Sequence, residues 1–123
     1  MSILKAHHPV KHLKSFKYAF SGILHSLYHE ANFRIQLLIT IFSIIGGVYF
    51  QISTTEWSVL ILAFASLLSA EVINTSIENF ADFLIPIKSE AIRIVKDLAA
   101  GFVLINAVAC FLILLIIFGK YIL

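Results

Sequence analysis

Four residues in one apolar stretch carry the side chains best suited to chemistry: Glu71, Asn74, Glu78 and Asp82, within EVINTSIENFAD. On an α-helix, Asn74 stands at about −60°, Glu78 at about −20° and Asp82 at about +20° from Glu71, so all four share an arc of about 80°. Lipid is not what such a face meets. A carboxylate there can act as a base toward a hydroxyl. Carboxylate oxygens also suit a hard cation such as Mg²⁺, which is held by one or two carboxylates together with substrate phosphates. Glu30, in HEANFRIQ, brings a carboxylate from another element and can pair with Glu78 as a second cation ligand. Lys96 and Asp97 add a third element, the lysine suited to a phosphate as a point charge and the aspartate to orienting it or binding a metal-held water. Each group also has a plainer use. A polar seam can join helices in an oligomer, Glu30 can be an ordinary interfacial acid, and a Lys-Asp pair at a helix start can be a topology anchor plus an acid favoured by the helix dipole.

The elements that must position these residues follow from composition. Of the 123 residues, 60% are hydrophobic and only 13% are charged, where an average soluble domain has about 25% charged; mean hydropathy is +0.98. This balance excludes a disordered or nucleic-acid-binding chain and argues against a water-soluble globule. The net charge of +2 is too small to imply a polyanion partner. The length allows one domain, and a lone cysteine, Cys110, excludes a disulfide framework or a Cys-based zinc site. Three apolar runs approach the roughly 20 residues that cross a bilayer core: Ile35 to Ile52, Trp57 to Ala70 continuing into the acidic segment, and Leu98 to Gly119. Before them, Leu13, Phe16, Phe20, Ile23, Leu24 and Leu27 recur at helical spacing. They predict a helix that lies on the membrane surface or packs on the spans of its own or a neighbouring subunit. Ser89 is a candidate N-cap for the last helix. The expected architecture is an all-α integral membrane protein, one domain over residues 1–123, with a surface helix at 11–30 and helices at 33–52, 57–82 and 90–120 containing the three spans.

Orientation and depth can be read from charge and helical rise. Lys5, Lys11, Lys14, Lys17 and Arg34 precede the first span, and Lys88, Arg93 and Lys96 lie between the second and third, against Lys120 alone on the other side. The positive-inside rule then puts the N-terminus and the Lys88–Lys96 segment in the cytoplasm and the C-terminus outside. The first ten residues lack the apolar core of a signal peptide, so the first span is expected to stay in the mature protein. Counted from Trp57, Glu71 lies about 21 Å along the helix and Glu78 about 31 Å, which puts Glu71 one or two turns inside the cytoplasmic boundary and Glu78 at it. An acid buried mid-helix costs about 3 kcal/mol on insertion scales, and ionisable residues within spans point to function. No Walker A sequence, kinase Gly-rich loop or H-E-x-x-H is present. His7, His8, His12, His25 and His29 read as interfacial residues, with His25 and His29 a possible i, i+4 pair. A small ion-conducting oligomer with the acidic row lining a cation path, and a non-enzymatic assembly subunit, are the rival readings.

SFKYAFSGI (15–23), EANFRIQ (30–36), EVINTSIENFAD (71–82) and KDLAAGFVL (96–104) together resemble the prokaryotic diacylglycerol kinase family of small three-span membrane kinases, which includes the undecaprenol kinases. The resemblance implies a homotrimer in the cytoplasmic (inner) membrane, with a site assembled across a subunit boundary near the cytoplasmic face. It implies an ATP- and Mg²⁺-dependent lipid kinase acting on a primary hydroxyl, either of diacylglycerol or of undecaprenol. Glu71 matches the family's general base and Glu30 and Glu78 its metal-binding carboxylates; Asn74, Lys96 and Asp97 match polar active-site positions and Lys11 and Tyr18 nucleotide-contacting ones. Glu30, Glu78, Lys96 and Asp97 would also face the nucleotide. Ser89 stands near where the family often has a His, and Lys11 where some members have Arg, which gives up a bidentate phosphate grip. The SFKYAF opening looks more like members that act on polyprenols.

Overall fold

The computed structural model describes residues 9–84 and 89–123. Lys5, His7 and His8, and Pro86, Ile87 and Lys88 between the second and third spans, lie outside the described residues. Four helices follow in order: α1 Pro9–His29, α2 Ala31–Phe50, α3 Thr54–Leu84 and α4 Glu90–Ile122. The described residues contain no strand, and α2, α3 and α4 are each long and apolar enough to cross a membrane. The expected all-helical, three-span fold is therefore the one observed.

Local chemistry explains where each helix starts and stops. Glu30 interrupts the helical path between α1 and α2 with extended angles, φ −112° and ψ 110°. Arg34 reaches back from α2, its guanidinium donating to the carbonyls of Leu27 and Tyr28 at 3.0 Å each, which satisfies acceptors left open at the end of α1. α2 ends in a left-handed residue, Gln51 (φ 53°, ψ 53°). The Ile52 N–H donates to the Gly47 carbonyl at 3.1 Å and the Gln51 N–H to that of Val48 at 3.3 Å, a Schellman cap. α3 then opens with a reciprocal capping box: the Glu56 N–H donates to Ser53 Oγ and the Ser53 N–H to Glu56 Oε1, both at 3.1 Å. Ser89 caps α4 as its sequence position suggests, accepting from the Ile92 N–H at 3.2 Å.

α3 is the central span. Of its most apolar window 39% is buried, against 17% for α2 and 11% for α4. Its N-terminal half packs on α4 through Leu60, Phe64 and Leu67 against Cys110 and Ile117. Between apolar helices in lipid there is no water to exclude, so close packing and polar contacts must hold the spans together. Gly47 is one such close approach: a Cβ there would come within 2.7 Å of the Trp57 ring. At the same end Glu56 ties the α2–α3 turn to α4, with Lys120 Nζ 3.0 Å from Oε2 and the Tyr121 hydroxyl 3.3 Å from Oε1. Leu13, Phe16 and Phe20 on α1 are two-thirds exposed, so the single chain leaves that stripe uncovered. Further along α1, Ser26 is buried where the helix meets the spans.

Candidate active site

Glu71 is 1% exposed, as deeply buried as the core residue Leu60. It faces α2, where Gln36 Nε2 donates to Glu71 Oε2 at 3.3 Å. One turn further along α3, Asn74 Nδ2 donates to Glu78 Oε1 at 3.3 Å. Helical spacing thus delivers the expected row, with Glu71 and Asn74 buried, Glu78 half-buried and Asp82 exposed. Glu30 arrives at the break between α1 and α2, half-buried, with its carboxylate unused for capping α2. Glu30 and Glu78 are both near enough for their charges to act on Glu71. Three carboxylates from two elements are therefore gathered at one end of the spans.

Several polar atoms beside this row are buried and unpaired among the described residues: Asn74 Oδ1, Thr75 Oγ1 and Gln36 Oε1. A buried polar group without a partner costs about 1–3 kcal/mol, so these atoms are free to bind water, a ligand or a second subunit. A metal placed there would find oxygen ligands, from Glu30, Glu78 and Asn74 Oδ1, a set that would suit Mg²⁺ and not a soft metal. No group of three or more His, Cys, Asp or Glu among the described residues forms a complete cage, and Mg²⁺ does not require one when phosphate oxygens and water complete its shell.

Lys96 and Asp97 part company. Lys96, with its side chain 36% exposed, is ion-paired with Asp82, one turn beyond Glu78 on α3. Asp97 instead accepts from Arg93 at 2.7 Å, and Arg93 also pairs with Glu90. Asp82, not Asp97, is what orients the lysine in this structure. Lys11 and Tyr18 are exposed on α1, and no hydrogen bond or ion pair among the described residues joins their side chains to the seam. The His25 and His29 rings lie 4.4 Å apart, and no other His, Cys, Asp or Glu among the described residues joins them as a metal site.

Two further polar residues stand at the row, one beside it on α3 and one opposite it on α2. Thr75 follows Glu71 by four residues, about 40° around the helix, and is 4% exposed. Gln36 was visible only as an amide interrupting an apolar run, six residues after Glu30. On the adjoining face of α3, and lined by no residue of the row, an apolar groove of about 440 Å³ runs between α1, α2 and α3 along Ile23, Leu27, Phe33, Leu37, Leu68 and Val72. Leu68 and Val72 bracket Glu71, so the groove reaches the depth of the buried carboxylate. A larger groove of about 570 Å³, between Phe42 and Gly46 on α2 and Phe111 and Phe118 on α4, has no acidic or basic side chain.

A buried carboxylate on a central span, flanked by two more and by an apolar groove, defines a helical membrane protein with an enzyme-like site near one end of its spans. Residues 17–118 match the family described as prokaryotic diacylglycerol kinase, and the chain belongs to that family. It is 32% identical over 105 residues to an undecaprenol kinase of Bacillus subtilis (strain 168), covering 85% of each chain. It is 29% identical over 102 residues to a diacylglycerol kinase of Synechocystis sp. (strain ATCC 27184 / PCC 6803 / Kazusa), covering 82% of this chain and 58% of that one. Every candidate residue except Lys11 falls within the family match.

Proposed function

We propose that this chain is an ATP- and Mg²⁺-dependent lipid kinase that transfers the γ-phosphoryl group to a primary hydroxyl of a membrane lipid. The observation that carries this is Glu71, buried at the depth of an apolar groove and within electrostatic reach of Glu30 and Glu78. The groove suits an acyl or prenyl chain whose hydroxyl comes to Glu71. Glu71 accepts the hydroxyl proton as the hydroxyl oxygen bonds to the γ-phosphorus, the bond to the β-phosphate bridging oxygen breaks, and ADP leaves. Phosphoryl transfer asks mainly for positioning and neutralised charge. Glu30, Glu78 and Asn74 Oδ1 would hold Mg²⁺, which when bound supplies charge neutralisation of the phosphates. The Lys96 ammonium has three N–H donors, so it can keep Asp82 and still meet a phosphate. Lys11 and Tyr18 on the surface helix serve the nucleotide, and Asp97 is a polar neighbour of the same site. The similarity to an undecaprenol kinase over 85% of both chains favours undecaprenol over diacylglycerol as acceptor. The protein works as a homotrimer in the cytoplasmic membrane with its N-terminus in the cytoplasm, and the exposed apolar faces of α2 and α4 are available for that assembly and for lipid.

The test is incubation of purified protein with labelled ATP, Mg²⁺ and either undecaprenol or diacylglycerol, followed by identification of the labelled product. Labelled undecaprenyl phosphate or phosphatidic acid is expected. Absence of label in both lipids, with nucleotide and metal present, overturns the reading.

A further inference from the structure

We infer that Gln36 is a positioning residue for the base, holding Glu71 in both of its protonation states; the inference rests on the lipid-kinase reading above. The carboxamide makes one contact and holds one in reserve. Its Nε2 donates to Glu71 Oε2 at 3.3 Å across the α2–α3 interface. Its Oε1 is buried and has no partner among the described residues. Backbone demands do not explain the side chain, since the Gln36 carbonyl already accepts from Thr40 Oγ1 at 2.8 Å.

The chemistry of proton transfer gives this asymmetry a use. While Glu71 is ionised it can only accept hydrogen bonds. The Gln36 donor occupies Oε2, which leaves Oε1 of Glu71 to take the hydroxyl proton. When the hydroxyl O–H bond breaks and the proton moves to Glu71, the carboxyl group becomes a donor. Once the carboxyl group turns so that its protonated Oε1 faces α2, rotation of the Gln36 carboxamide offers its idle oxygen to that donor. A lysine could serve only the ionised state and an ionised carboxylate only the protonated one, whereas an amide carries both functions. Placement on α2 also fixes the base from outside its own helix.

Turnover, ATP KM and thermal stability of Gln36→Met, Gln36→Glu and Gln36→His separate this role from helix adhesion. Met keeps the length with neither donor nor acceptor, ionised Glu keeps the shape without a donor, and neutral His restores one of each. Loss of a hydrogen bond to a charged group predicts that kcat falls about ten- to a hundredfold in Gln36→Met and Gln36→Glu, with ATP KM within about twofold of wild type. Gln36→His recovers most of that loss, and Gln36→Met adds nothing in an E71Q background because the group it serves is gone. The inference is overturned if either Gln36→Met or Gln36→Glu folds and turns over within about threefold of wild type, or if Gln36→His is no better than Gln36→Met. It is also overturned if kcat and ATP KM deteriorate together with stability, the pattern of a structural contact. Wild-type protein that phosphorylates neither lipid removes the kinase reading as well; wild-type turnover with an active Gln36→Met removes the Gln36 inference alone.

Discussion

Glu71 is buried to 1% exposure inside a membrane helix and, among the described residues, its side chain is reached by one hydrogen bond, from Gln36. If it is the base, Glu71→Gln keeps the volume and much of the hydrogen bonding but cannot accept a proton. Phosphoryl transfer is then expected to fall by about 10²–10⁴-fold, the usual contribution of a positioned base, while ATP binding measured by equilibrium titration persists. Activity within about threefold of wild type would favour helix adhesion, because an amide still bridges helices. Glu30→Gln and Glu78→Gln are expected to leave the protein folded and to raise the Mg²⁺ concentration needed for half-maximal activity, since each removes one hard anionic ligand. A Mg²⁺ titration unchanged in both variants would put the metal elsewhere. The row Glu71, Asn74, Glu78 and Asp82 was legible in the sequence because helical spacing alone puts the four on one arc. Gln36 was not legible as their partner, because nothing local states which residue of α2 stands opposite Glu71.

At the scale of elements, the ends of the helices are set by caps whose strength can be tested. Gly47 lets the Trp57 ring lie where a Cβ would be at 2.7 Å from it. Gly47→Ala forces either the α2 backbone or the ring to move, and overpacking of this kind costs about 1–3 kcal/mol. Thermal or denaturant unfolding in detergent should register the loss. Gln51 pays a conformational cost as a non-glycine residue in the left-handed region, φ 53°. Gln51→Gly removes that strain while keeping the Schellman bonds, and a gain of about 1 kcal/mol is expected in the same assay. An unchanged or lowered stability would mean that the Gln51 side chain contributes more than its backbone costs. Ser89 was readable as a cap because an N-cap is a property of adjacent residues. The start of α3 at Thr54, three residues before the apolar run at Trp57, depends on Ser53 and Glu56 capping each other, a spacing that hydropathy does not register.

For the whole molecule, two polar contacts mark opposite ends of the bundle. Lys96 with Asp82 joins α3 to α4 beside the acidic row, and Glu56 with Lys120 and Tyr121 joins the α2–α3 turn to the far end of α4. Among the described residues Lys11, Lys14, Lys17, Arg34, Arg93 and Lys96 lie toward the first end and Lys120 at the other. By the positive-inside rule the site end is expected to be cytoplasmic, the side from which the proposed nucleotide would enter. Impermeant-reagent labelling at introduced cysteines is expected to find positions 14 and 120 on opposite sides of the membrane. Labelling of both from one side would sink the three-span topology.

The amino-acid sequence by itself determined the helical class, the three spans, the acidic arc and the Ser89 cap, since each rests on composition or on spacing along one helix, and its motifs over 15–104 carried the resemblance to the family. Tertiary structure alone decided which side chains meet across helices. Gln36 and Glu71 are 35 residues apart, and Asp82 and Lys96 are 14 apart, so their pairing depends on how one helix is rotated and shifted against the next. Those displacements follow from packing at remote points such as Gly47 against Trp57 and Leu60 and Phe64 against α4. Between apolar helices in lipid, many rotations bury similar surface, and close packing together with the few polar contacts selects among them.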